Sequence, residues 1–380
     1  MTAKRSGGRP VFPFAAFVRA LLEWYRRDHR DLPWRRTADP YAILVSEIML
    51  QQTQVSTVLR YFEPFLHRFP SAEALAQADE DDLLKAWEGL GYYRRARHLK
   101  RAAEVVASAG QWPREAGALA KLPGLGRSTA GAVASIAFGA PEPILDGNVR
   151  RVWSRVRATD GLPPAQEERR LWGLSGEAVR HGPPGEVNQA LMELGATICT
   201  RVPRCSSCPV SGWCEALAQG NPEAYPPPKV RPKRPHHDVS VALIWRDGAF
   251  LVSRRPGSGL LGGLWELPGG KWEEGEDAES ALARELREEL GMEVSIRRAH
   301  PPVRHAYTHF SVTLHAFSVE PAKGQEPRSP LPLRWVRPEA IGDLAFPAGT
   351  HKIFAAVFGA EAEAAESPAD YGSKTPPGRP

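Results

Sequence analysis

The chain has 380 residues, 42% hydrophobic and 24% charged, which is enough for two or three globular domains with sizeable cores. No apolar run reaches the ~18 residues of a membrane span, and the start, MTAKRSGGRPVFPF, lacks the apolar stretch of a secretory signal. The expectation is an intracellular, cytoplasmic protein. The net charge of +5 is uneven: residues 1–217 carry +6, residues 218–237 carry +3, and residues 238–356 and 357–380 carry −2 each. An anionic polymer is therefore expected at the first part of the chain.

Residues 14–217 read as helices. YAILVSEIMLQQTQVSTVLRYFEPFLHRFP has apolar residues recurring at three and four, and SAEALAQADEDDLLKAWEGLGYY reads as a helix start capped by Ser71 with an acidic turn after it. No alternating stretch interrupts them. The segment NPEAYPPPKVRPKRPHH, with six prolines and four basic residues, predicts an extended linker within 218–237. The period then changes. DVSVALIWRDGAFLVSRRP alternates around Asp247-Gly248, a hairpin signal, and HFSVTLHAFSVE reads as another strand. A single strong helix is expected over 277–290. The expected organisation is multidomain: an all-α domain over 1–217, the linker over 218–237, an α+β domain over 238–358 and a disordered tail over 359–380.

Four motifs carry chemistry. The chain's only cysteines, Cys199, Cys205, Cys208 and Cys214, fall in CTRVPRCSSCPVSGWC. Four thiols this close, in an intracellular protein, indicate one metal centre, either zinc or an iron–sulfur cluster. Arg201 and Arg204 lie in the loop between the first two, where a phosphate contact is expected.

LAKLPGLGRSTAGAVASIAFG places a turn containing Leu122, Gly124 and Gly126 before a helix that begins near Ser128. A helix start of this kind offers backbone N–H groups and a positive dipole end to phosphate without reading sequence.

Asp146, in ILDGNVRRVWSRV, has the ordinary role of a helix N-cap unless a second group joins it. That group is Glu47, a carboxylate flanked by Ile43, Leu44, Val45, Ile48 and Leu50. Burial there raises its pKa, and a protonated acid near an ionised carboxylate divides labour as glycosidic bond cleavage requires.

The fourth motif is GKWEEGEDAESALARELREELGM, residues 270–292. Gly270, Glu276, Arg284, Glu285, Leu286, Glu288, Glu289, Gly291 and Met292 satisfy every fixed position of the Nudix pattern. Glu285, Glu288 and Glu289 stand at i, i+3 and i+4, so their carboxylates converge as a candidate Mg²⁺ site.

Glu47 in SEIMLQQT, the turn LPGLGRSTA, Asp146 in LDGNV and the cysteine quartet, in this order, resemble the helix-hairpin-helix DNA glycosylases that carry an iron–sulfur cluster. WEGLGYYRRARHL and the appended C-terminal domain narrow the resemblance to the MutY adenine glycosylases, over roughly residues 14–356. It implies two helical lobes, a flipped base in the cleft between them, a [4Fe–4S] cluster and a monomeric enzyme of base-excision repair.

Its implied substrate is double-stranded DNA with adenine opposite 8-oxoguanine or guanine. Glu47 matches the general acid that protonates adenine at N7. Asp146 matches the carboxylate that stabilises the sugar cation, with Asn148 beside it. Gln189 matches an adenine contact. Gln52, Leu90 and Tyr92 match positions that wedge around the opposing base.

Three departures mark this chain. Ser128 stands where endonuclease III-like relatives have the Schiff-base lysine, which implies base removal without strand cleavage. Five residues rather than the usual six separate Cys199 from Cys205, so a tighter loop is expected. Tyr307, Thr308 and His309 replace the usual Phe-Ser-His of the 8-oxoguanine reader, and the Nudix glutamates that the family usually loses are all present. Two other readings compete: an endonuclease III-like glycosylase for another base, and a Mg²⁺-dependent Nudix pyrophosphohydrolase with a DNA-binding N-terminal part.

Overall fold

The computed structural model describes residues 12–159, 162–227 and 234–359. The expected tail over 360–380 and the middle of the expected linker, 228–233, lie outside the described residues. The chain divides into two compact units. One holds residues up to 77 and from 98 to 230; the other holds 78–97 and residues from 231 onward.

In chain order the helices are α1 (Phe14–Asp28), α2 (Pro40–Leu50), α3 (Val55–Val58), α4 (Phe62–Arg68), α5 (Ala72–Gln77), α6 (Glu80–Ala86), α7 (Arg94–Ala109), α8 (Ala116–Leu119), α9 (Arg127–Phe138), α10 (Gly147–Val156), α11 (Pro164–Ala178), α12 (Pro184–Thr197), α13 (Glu215–Ala218), α14 (Ala278–Leu290) and α15 (Ala348–Phe358). The strands are β1 (His236–Arg246), β2 (Ala249–Arg254), β3 (Trp265–Glu266), β4 (Gly269–Lys271), β5 (Val294–Ala299), β6 (Val303–Ala306), β7 (Ser311–Pro321) and β8 (Leu333–Val336). Among the described residues no helix is long and apolar enough to cross a membrane.

The first unit is helical, as its periodicity predicts. Ser71 caps α5 by accepting the Ala74 N–H at 3.2 Å, and the helix does not run on through the acidic turn. Asp79 takes extended backbone in that turn and caps α6, which belongs to the second unit, through the Asp81 N–H at 2.8 Å. The core gathers Phe17, Leu21, Val152, Trp153, Leu171, Val187, Leu191 and Leu194, from α1, α10, α11 and α12.

Three glycines let backbones meet in this unit. A Cβ on Gly131 of α9 would strike the Pro143 carbonyl. One on Gly185 of α12 would lie 2.6 Å from the Ser135 carbonyl, and one on Gly195 would lie 2.6 Å from Asn148 Cβ. Helix α12 therefore comes within backbone reach of α9 at Gly185 and of α10 at Gly195.

In the second unit the strands form a mixed sheet with the order β3-β2-β1-β7-β5, extended by β4 on β1, β6 on β7 and β8 on β2. β1 and β7 are parallel, and the other pairings are antiparallel. The predicted hairpin is present: Trp245 faces Phe250, and Asp247 and Gly248 both have positive φ, as its two-residue turn requires. Alternate β1 residues separate two cores. Val241 and Leu243 join Phe346, Ile353 and Phe354 on the α15 face, while Ala242 and Ile244 join Leu282, Leu286 and Leu290 on the α14 face. Helix α14 starts at a capping box between Asp277 and Ser280 and stops at left-handed Gly291.

Candidate active site and cluster loop

Asp39 opens α2 by accepting the Tyr41 and Ala42 N–H groups, and Pro40 occupies the first helical position. The helix is buried almost all round, so Glu47 has no water-rich side to choose. The residue is partly exposed as a whole, and its carboxyl accepts no hydrogen bond among the described residues. Burial, with a further push from the Asp146 charge, raises its pKa from 4.5 to about 7. At its C-terminal end α2 is tied to α9 by the Gln51 amide, which donates to Thr129 Oγ1 at 3.2 Å.

Asp146 is the N-cap of α10 as well as Glu47's electrostatic partner. Its Oδ1 accepts the Val149 N–H at 2.7 Å, and its Oδ2 accepts the Asn148 amide at 3.1 Å. Burial raises its pKa, while these two donors and the Arg151 charge pull the other way.

The segment leading to Asp146 is held from two sides. Ser128 Oγ accepts the Leu145 N–H at 3.2 Å. Buried Asn188 of α12 accepts the Ile144 N–H at 3.2 Å and donates to the Glu142 carbonyl at 2.8 Å and to Ser135 Oγ at 2.9 Å. Its neighbour Gln189 is partly exposed and accepts the Tyr25 hydroxyl at 3.1 Å.

The glycine turn sits between α8 and α9. Leu122 is buried, Gly124 has φ +81° with His98 closed against it, and Gly126 caps α9 with no side-chain bond to its first N–H groups. That helix start, where the sequence leads one to expect phosphate, has no side-chain cap. Gln52, in the same unit, is exposed and takes left-handed backbone with φ 58°.

The four cysteines form no disulfide. They line one recess of about 390 Å³, its mouth included, with Val152, Val156, Leu194 and Ile198 as apolar wall. Burial pushes the Cys208 thiol up to about 12 and raises Cys205 and Cys214 as well, so bare thiolates are costly there. Bound metal cations offset that cost. Arg155 points a guanidinium N–H at Cys199 Sγ, 3.4 Å away, as suits a sulfur carrying negative charge. Among the described residues no three His, Cys, Asp or Glu close on a single-ion site; the thiols surround the recess. An apolar pocket ringed by four sulfurs fits a thiolate-bound cluster.

Two arginines on successive turns of α10, which the sequence reading missed, organise this region. Arg155 also donates to the Thr200, Arg201 and Tyr225 carbonyls at 2.6, 3.1 and 2.9 Å. Arg151 reaches the Cys199 carbonyl, the Gly195 carbonyl and Asn148 Oδ1, each at 2.7 Å. The signal was their spacing of four on a helix that otherwise buries an apolar stripe. In the loop, Arg201 is exposed, whereas Arg204 turns back to donate to the Thr197 carbonyl at 2.6 Å.

In the second unit Tyr307 closes a tight turn between β6 and β7, its N–H bonded to the Phe310 carbonyl at 2.8 Å and its ring stacked on Phe310 at 4.8 Å. Thr308 and His309 are exposed at the tip. Tyr92, distant in sequence, donates its hydroxyl to Thr308 Oγ1 at 2.8 Å. Leu90 is buried, so its side chain is not presented for entry into DNA.

The three Nudix glutamates expected to converge do not close on one ion site among the described residues: Glu285 and Glu288 meet the Arg284 guanidinium, and Glu289 turns to the β4 backbone. Arg284 grips Glu276 with two bonds of 2.7 and 2.9 Å, and reaches Glu285 at 2.9 Å and Glu288 at 3.3 Å. Glu289 accepts the Gly269 N–H at 3.2 Å. Gly270 has no Cβ because the Glu285 carboxylate fills that space.

Comparison with known proteins follows this division. Residues 45–176 match the HhH-GPD superfamily of base excision DNA repair proteins, and residues 240–356 match the NUDIX domain. A solved thermostable thymine-DNA glycosylase aligns with 54% of this chain and 97% of its own, at 32% identity and a TM-score of 0.50. The adenine DNA glycosylase of Arabidopsis thaliana is 38% identical over 73% of this chain and 52% of its own. That of Homo sapiens is 36% identical over 91% of this chain and 74% of its own length. With both its domains matched and a relative of that identity covered along most of its length, this chain belongs to the adenine DNA glycosylase family.

Proposed function

We propose that the protein removes adenine mispaired with 8-oxoguanine, or with guanine, by acid-assisted hydrolysis of the N-glycosidic bond on a flipped base. The observation that carries this reading is the carboxylate pair. Glu47, with a pKa of about 7, keeps a proton near neutrality and has no internal partner to hold it. It is the acid that protonates adenine at N7 and makes the base a neutral leaving group.

Asp146, fixed by Val149 and Asn148, is the carboxylate that faces the sugar cation as the bond breaks. Two of its acceptor positions are occupied by those donors, so it cannot swing away. Gln189 is the adenine contact. The turn at Leu122, Gly124 and Gly126 and the open start of α9 hold DNA phosphates, joined by Arg201 in the cysteine loop.

The cysteines Cys199, Cys205, Cys208 and Cys214 would hold a [4Fe–4S] cluster. When bound it supplies a rigid electrostatic and structural brace for the loop. Ser128 has a hydroxyl rather than an amine and is engaged with Leu145, so it forms no Schiff base and the product is an intact abasic site.

The lesion is read in the C-terminal unit. The bond between Tyr92 and Thr308 supports this, because two residues expected at the opposing base meet there with no other evident reason. Gln52 is the corresponding wedge of the helical unit. The Nudix box serves this reader as framework, its glutamates engaged by Arg284 and the β4 backbone. We take the domain limits to be 1–217, 218–237 and 238–358.

The test is a single-turnover assay on a labelled duplex with adenine opposite 8-oxoguanine, half of each sample treated with alkali. Cleavage only after alkali is the expected result. Strand cleavage without alkali would overturn the role given to Ser128, and failure to release adenine would overturn the whole reading.

A further inference from the structure

Tyr25 is 5% exposed on α1. His29 stacks on its ring at 4.7 Å, and the Arg35 guanidinium lies 5.5 Å from the ring centroid. Arg35 is itself fixed by Glu193, 2.7 Å away, which Arg30 grips as well. Burial pushes the Glu193 carboxyl up, but the hydrogen bonds from Arg30 and Arg35 more than reverse this and hold it at about 2. The anchor is thus ionised at any working pH. Burial raises the Tyr25 pKa, so the phenol keeps its proton.

That proton goes to Gln189 Oε1, 3.1 Å away. The other end of the amide, Nε2, donates to nothing among the described residues, and Gln189 is partly exposed. The adjacent residue, Asn188, bonds the segment that leads to Asp146. Gln189, one residue along α12 from the side chain that holds this segment, therefore has its acceptor end tied to Tyr25 and its donor end without a partner among the described residues.

We propose that Tyr25 is a positioning residue for base selection. By occupying Oε1 it locks the Gln189 amide so that only N–H donors face the base, and the pocket then demands an unprotonated ring nitrogen. N3 is an acceptor in both purines, but at N1 adenine accepts where guanine carries a proton, so it is at N1 that the locked amide separates the two bases. Without the hydroxyl the amide turns over freely and presents either end. The inference rests on the adenine-excision reading above.

The test uses the full-length protein in single-turnover assays on duplexes carrying adenine, 1-deazaadenine or 3-deazaadenine opposite the same base. Wild type is expected to lose about tenfold in rate on the analogue that lacks the nitrogen met by Gln189. Tyr25→Phe keeps the ring packing and is expected to shrink that penalty to roughly two- to threefold. Gln189→Ala is expected to abolish the penalty, and adding Tyr25→Phe to it is expected to change nothing further.

A full penalty in Tyr25→Phe, no penalty in wild type, or an equal slowing on all three bases would each overturn the proposal. Wild type that releases no adenine would sink the underlying reading and this one with it. Active wild type with an unmoved penalty would sink only the role of Tyr25.

Discussion

Replacing Glu47 by glutamine should abolish excision and, above neutral pH, make the protein more stable. The folded-state pKa of Glu47 lies near 7, above its ordinary 4.5, because burial and the Asp146 charge both oppose ionisation. Between those values the unfolded chain releases the proton while the folded chain retains it. Stability is therefore full below pH 4.5, falls as pH rises to about 7 and is flat beyond. At about 1.4 kcal/mol per pH unit the interval amounts to about 3 kcal/mol. The partial exposure of the residue lowers this to roughly 2 kcal/mol.

Glutamine has the same shape and no proton to lose. Glu47→Gln should accordingly melt within a degree or so of wild type at pH 5 and roughly 4–8 °C higher at pH 8, for a unit of this size. Thermal unfolding followed by circular dichroism at the two pH values decides the matter. A gain equal at both, or no gain at pH 8, would refute the protonated-acid assignment even if the variant were inactive. In parallel, the wild-type excision rate should decline above about pH 7 as the acid ionises.

Other expectations follow from the same geometry. Asn188→Leu leaves the Ile144 N–H and Glu142 carbonyl unpaired in the interior; urea unfolding should show a loss of about 2–4 kcal/mol, with single-turnover excision slowed as the Asp146 segment loosens. Arg155→Gln removes the bonds to three carbonyls and to Cys199 Sγ, and the purified variant should hold less iron per chain than wild type; equal iron would contradict the bracing role. Purified protein with Mg²⁺ should release no pyrophosphate from 8-oxo-dGTP, with Glu288→Gln as control, and a rate lost in that variant would make the Nudix box a live site. Thr308→Ala should narrow the preference for adenine opposite 8-oxoguanine over adenine opposite guanine by roughly three- to tenfold.

What the sequence disclosed was whatever a local pattern can carry. Glu47 stood out because no apolar helix face has a reason to hold a carboxylate, and the Asp247-Gly248 turn because only such residues suit positive φ on both sides. The Nudix box and the cysteine quartet are dense enough to read letter by letter. Hidden were the contacts that depend on which helix lies beside which. Tyr25 and Gln189 are 164 positions apart, and neither flanking sequence hints at the other. Asn188 looks like any polar residue on an amphipathic helix until α12 is seen packed against α9. Arg151 and Arg155 are ordinary surface arginines by composition, and only the cysteine loop beside them turns them inward. Residues 71–90 disclosed the Ser71 cap and the acidic turn after it, but not that Asp79 there caps a further helix.

The glycine contacts of α12 bear on how this enzyme responds to heat. Gly185 rests on the backbone of α9 and Gly195 on the Asn148 Cβ and main chain of α10, so the spacing of these three helices is set by close contact at both points. Rotamer changes, which loosen most helix contacts gradually, have little to act on at these two glycines. As temperature rises the geometry around Asp146 should stay constant until the helices part together. Activity should then follow an Arrhenius line up to the melting transition and break sharply there.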